Sequence, residues 1–222
     1  MKFFHRLFIK FETLFKLVMM KKLFLSVLMI VISSAYTQTT IANFDQKKVC
    51  WLGIDFTLAK FSGANGFTEP DQIKSHYFGD WNYLVVRESE RYDVKGAFNL
   101  DSLTYQIDPV LKLNQEINMD GYIQETSHKI NQTEIQTALS KYDLTDVKET
   151  VGISFFVANF NKNIEEAIIW VVLSDLPTKT IFFSRELRTT PEGLGFRNYW
   201  AGTIRKAIDE CSDSIKKWIK GK

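Results

Sequence analysis

Three apolar, β-rich runs crowd the second half of this sequence, with only short polar turns between them. They cover residues 151–160, 167–174 and 180–187. The middle run, Ala-Ile-Ile-Trp-Val-Val-Leu-Ser, is nearly all apolar, which suits a central strand covered on both faces. The turn at 175–179, with Pro177 inside it, is so short that its flanking strands should pair as an antiparallel hairpin. A helix follows Gly195. Phe196, Trp200, Ile204, Ile208, Cys211, Ile215 and Trp218 recur every three or four residues and make one apolar stripe.

Upstream, residues 49–56 (Val-Cys-Trp-Leu-Gly-Ile-Asp-Phe) read as a buried strand. Thr68 sits three before Asp71, with Pro70 between, a helix-start pattern. That helix is expected to reach about Arg91, with Gly79-Asp80 as a point where it can break. Residues 93–122 are weakly patterned, with a strand expected at 103–107. Asn131 and Glu134 predict an N-capped helix over 132–141. The fold class expected is an α/β (α+β) sandwich: a mixed sheet with an antiparallel C-terminal meander and a long C-terminal helix.

The start of the chain carries an address. Lys21 and Lys22 precede an apolar run from Leu23 to Ile32, then Ser33, Ser34 and Ala35. Basic, apolar and small, in that order, is the layout of a secretory signal peptide, with cleavage expected after Ala35 or Thr37. The run is about half the length that a bilayer-spanning helix needs, which favours cleavage over anchoring. Residues 1–19 form a basic, amphipathic preface, read as upstream of a true start at Met19 or Met20; an interfacial helix is the other reading. The domains expected are therefore 1–37, preface and signal peptide, and 38–222, a single α/β domain. The product is expected in the periplasm or outside the cell, touching a membrane only through an uncleaved leader.

Loss of the leader changes the charge. It holds six basic residues and one acid, so the 28 basic and 26 acidic residues of the whole chain become 22 and 25. The formal charge goes from +2 to −3, and the pI of 8.4 belongs to the precursor. No basic cluster suggests a nucleic-acid partner.

The opening strand at 49–56, Glu166-Ala167 entering a strand that ends Leu-Ser-Asp, the polar turn and strand after it, and the closing helix resemble the α/β module of several bacterial envelope proteins. These are the curli-secretion lipoprotein, the outer-membrane activators of penicillin-binding proteins and the N-terminal domain of the Tol translocation protein. The set also looks like exported proteins of Bacteroidetes-type genomes. The resemblance implies a non-enzymatic envelope protein that contacts other proteins. Those relatives are usually lipid-anchored; here the first cysteine, Cys50, follows Lys47, Lys48 and Val49, which is no lipidation site.

Chemistry-bearing motifs are few. His76 and His128 are far apart and read as surface residues; no metal-ligand spacing, nucleophile elbow or phosphate loop occurs. No cofactor is expected. Asp55, at the end of the first strand, lies where ligands bind in open α/β sheets, or caps the next loop. Arg197, Asn198 and Trp200, with Tyr199, open the last helix, where an anion or a partner carboxylate can dock. Cys50 and Cys211 are either a disulfide permitted by export or two buried thiols. Two functions follow: an envelope interaction or structural module with a protein partner, or a small-ligand binder or enzyme using Asp55 and the 197–200 segment. Oligomeric state is not legible.

Overall fold

The computed structural model describes Met19 and residues 40–221. The rest of the preface and leader lies outside the described residues, and every element below falls in one compact unit, Thr39–Lys222. After a 3-10 turn at Phe44–Gln46 come β1 (Val49–Asp55) and a short β2 (Lys60–Ser62). A helical stretch runs without a break through α1 (Pro70–Gln72), a π-helical segment (Ile73–Phe78) and α2 (Gly79–Arg87). Then come α3 (Val94–Ala97), β3 (Thr104–Tyr105), α4 (Asp108–Gln115), β4 (Ile123–Gln124) and α5 (Gln132–Ser140). Three long strands follow, β5 (Val151–Asn161), β6 (Glu166–Asp175) and β7 (Thr180–Thr189), and the helix α6 (Phe196–Ile219).

Local chemistry accounts for most boundaries. At α5 the Asn131 side chain accepts from the Thr133 and Glu134 amides, and the Glu134 carboxylate accepts from the Asn131 amide, a complete capping box. Thr68 forms no such cap; Glu69 holds the cap position, and Pro70 starts the helix because its missing N–H costs nothing there. Gly79-Asp80 does not break the helix. The irregularity falls just upstream, in the π-helical turn.

β5 organises the sheet. β6 lies antiparallel along one edge of it, and β7 lies antiparallel to β6. The other edge of β5 takes β1 and β2 in parallel, end to end: β1 beside Val151–Phe156, β2 beside Asn159–Asn161. The pair therefore occupies one strand position, interrupted at residues 56–59. β3 pairs outside β1 and β4 outside β2, both parallel. The fold is α/β, with a mixed sheet and a long C-terminal helix.

Strand alternation divides the core. Trp51, Phe155 and Phe160 share a core with Trp81 and the whole apolar stripe of α6. Trp200 stacks on Phe160 with ring centroids 4.6 Å apart, which fixes the helix on the sheet. Cys50, Leu52, Phe156 and Ala158 point the other way, toward Ile135 and Leu139 of α5. Each large apolar side chain so buried contributes about 2 kcal/mol.

The same alternation corrects the disulfide expectation. Cys50 sits in the α5 core and Cys211 in the α6 core, both buried and both free. Burial pushes the Cys50 thiol up to about 12, with Glu149 adding to it, and raises Cys211 as well. Neither thiol is a ready nucleophile.

A bulge in β1 between Trp51 and Gly53 aims the end of the strand. Gly53 has φ +112°, and a Cβ there would lie 2.5 Å from Oδ1 of Asn82. Gly53→Ala combines left-handed strain with displacement of a buried amide. It should lower stability by about 2–4 kcal/mol, measured as a shift in the urea unfolding midpoint.

Candidate functional site: a cleft at the interrupted strand

β3 is only two residues long, so the outer edge of β1 has no strand partner beyond Trp51. Side chains take the place of that strand. Asn82 accepts from the Ile54 amide at 2.7 Å and donates to the Ile54 carbonyl at 3.0 Å and to Phe78 O at 2.9 Å. Asn114 accepts from the Phe56 amide at 2.9 Å and donates to the Ile54 carbonyl at 2.8 Å. The Tyr122 hydroxyl donates to the Phe56 carbonyl at 2.8 Å. All three side chains are buried, and they come from α2, α4 and the segment leading into β4. Pairing resumes where the Phe61 amide donates to Tyr122 O.

Asp55 closes the same turn. Its Oδ1 accepts from the Thr57 amide and hydroxyl, both at 2.6 Å, and its Oδ2 accepts from the Tyr142 hydroxyl at 2.7 Å. It has no exposed surface and is the one Asp, Glu, Lys, Arg or His side chain in the buried class among the described residues. Burial raises its pKa above the ordinary carboxylate value; the bonds from Thr57 and Tyr142 and the charge of Lys141 oppose that rise. Burial and the Asp55 charge hold Tyr142 and Tyr122 well above the usual phenol value, so both stay protonated donors.

The outer side of the interruption is a cleft of about 460 Å³. Thr57, Leu58, Ala59 and Lys60 form one wall; Leu113, Glu116, Ile117 and Asn118 form another; Tyr122, His128, Ala138 and Lys141 complete it. A smaller hollow of about 220 Å³ adjoins it, sharing Thr57, Leu58, Ala138 and Lys141 and adding Thr133, Glu134 and Thr137. Lys60 donates to Gly121 O at 3.0 Å, and its ammonium lies 5.5 Å from the centre of the Tyr122 ring. Burial lowers the His128 pKa, opposed by a hydrogen bond to the Leu58 backbone. At neutral pH the ring is therefore largely uncharged.

The residues expected to matter are not gathered at this cleft. Asp55 lies behind its wall. Arg197 is ion-paired with Asp80 at 3.4 Å, and its carbonyl accepts from the Trp81 indole at 2.8 Å. Trp200 is buried in the core, and Asn198 is exposed at the start of α6. None of these lines either hollow. His76 is exposed and contacts Ser75, whereas His128 is half-buried in the cleft wall. Asn82 and Asn114 leave one trace in the sequence: each is an amide set among apolar helix residues, Trp81, Leu84 and Val85 for one, Leu111 and Leu113 for the other. Among the described residues no group of three or more His, Cys, Asp and Glu could hold a metal ion.

Since the folded pKa of Asp55 is raised, the folded state holds this proton more tightly than the unfolded chain. The stabilisation is complete below the ordinary carboxylate value of 3.8 and is lost as pH rises through the folded value. Asp55→Asn keeps an acceptor for Thr57 and removes the buried charge. The variant should gain stability relative to the natural chain between about pH 4 and about pH 7, read from urea midpoints at the two pH values. An unchanged difference would contradict it.

No protein family matches this chain, and no curated protein does. Its structure is similar to that of a hypothetical protein from Chlamydia trachomatis, with 8% identity and a TM-score of 0.32, over 78% of this chain and 95% of the other.

Proposed function

We propose that this chain is an exported binding module of the cell envelope, acting in the periplasm or outside the cell by contacting a partner rather than by turnover. The observation that carries the reading is the fate of Asp55. The one carboxylate with the burial of a catalytic acid has both oxygens committed to Thr57 and Tyr142, and what it holds in place is the wall of an open cleft. A carboxylate so engaged is a structural brace, and a braced wall is the property that recognition needs. The leader pattern supports export. The resemblance to envelope modules supports a protein partner, as an analogy of fold alone. A second reading, small-ligand binding, is favoured by the shape and size of the cleft, which lie in the range of ligand pockets.

A photoreactive phenylalanine analogue at Leu58, within the cleft, tests this in the living source cell. The expected result is a chain in the envelope fraction, cut after Ala35 or Thr37, that forms an ultraviolet-dependent adduct from position 58. The same analogue at Tyr83, exposed and outside the cleft, should form none. An uncut chain in the cytosol, or equal adducts from both positions, would contradict the reading.

A further inference from the structure

The cleft has a charge imbalance that its own residues do not correct. Lys60 and Lys141 both line it, and neither makes an ion pair with a described residue. The single acid in its lining is Glu116, which is exposed. Asp55, whose charge Lys141 feels, is sealed behind the wall and already carries three hydrogen bonds. The same cleft offers apolar surface from Leu58, Leu113, Ile117 and Ala138 and the ring of Tyr122. Lys60 is held by the Gly121 carbonyl and lies over that ring, so little side-chain freedom remains to be lost on binding. Two cations beside an apolar floor match one ligand chemistry: an anionic head on an apolar body.

We propose that the cleft binds an organic anion of this amphiphilic kind, its carboxylate or phosphate head taken by Lys60 and Lys141 and its apolar body by Leu58, Leu113 and Ile117. The inference rests on reading the cleft as a binding surface and adds the class of occupant. An anion held there also favours protonation of His128, which sits in the same wall beside Lys60.

Titration calorimetry of the full chain tests it with four probes below their micelle concentrations: decanoate, decyl phosphate, decylamine and inorganic phosphate. The His128 ring proton signals serve as a second readout. Decanoate or decyl phosphate should bind and move the His128 signals, and the tighter of the two identifies the head group. Decylamine should not bind, and inorganic phosphate alone should bind at least tenfold more weakly, roughly the worth of lost apolar contact. Lys60→Gln and Lys141→Gln, checked for unchanged unfolding midpoints, should each weaken binding about tenfold, the size of one charge-assisted hydrogen bond. Glu116→Gln should tighten it about twofold by removing the like charge. Decylamine binding as tightly as decanoate, or both lysine variants binding as the natural chain does, would overturn the proposal. Failure of both anions while the Leu58 adduct still forms overturns the anion and leaves the binding module standing; loss of both removes both.

Discussion

Ile54 and Phe56 present their amides and carbonyls to a side of β1 that no strand reaches, and the side chains of Asn82, Asn114 and Tyr122 take up all four groups. The rest of the architecture depends on this substitution. A buried backbone group left without a partner costs about 1–3 kcal/mol, so an uncompensated gap would be severe for a domain of ordinary stability. With it filled, one strand position can stop at Asp55, make a turn over residues 56–59 and resume at Lys60 against the same β5. The helices that supply the amides are thereby fixed on the sheet by polar bonds as well as by burial. Gly53 is the backbone counterpart: only a residue without Cβ leaves room for Asn82 to approach.

A turn in the middle of a sheet is also the origin of the cleft. A continuous β1–β2 strand would present regular side chains to α4 and α5. The turn instead puts Thr57, Leu58 and Lys60 at an opening between those helices. Asp55 makes the turn rigid at the expense of a buried charge, and Tyr142 and Thr57 offset much of that cost. Structure and proposed function therefore meet in one feature, since the device that completes the sheet also builds the wall of the cleft. The buried acid belongs to the scaffold, and the exposed cations belong to the cleft.

Legibility in the sequence tracked the length of each pattern. β6 and α6 are plain because 10 residues of nearly unbroken apolar run and a stripe along 24 helical residues carry strong patterns. α5 was plain because Asn131 and Glu134 write a capping box in local sequence. β2, β3 and β4 are two or three residues long, too short for any period, and their places are set by β5 and β1 rather than by their own composition. The site was less legible than the fold. Asp55 is visible as a strand-end carboxylate, but its partner Tyr142 is 87 positions away, and Asn114 lies 58 positions from Phe56. No local rule links residues at that separation. His128 had no signal of its own, because its role comes from the chain bringing it against Leu58.

Residue-resolved amide hydrogen exchange tests the substitution of side chains for a strand most directly. In the natural chain the Ile54 and Phe56 amides should be protected to the same degree as the amides of the β5–β6 ladder. Asn114→Ala should release Phe56 selectively, raising its exchange at least tenfold while the β5–β6 amides stay protected, because the acceptor of the Phe56 amide, worth about 1.5 kcal/mol or more, is lost, whereas the Ile54 carbonyl that Asn114 also serves keeps its bond from Asn82. A Phe56 amide that exchanges as fast as an exposed loop in the natural chain, or one that Asn114→Ala leaves unchanged, would contradict the account.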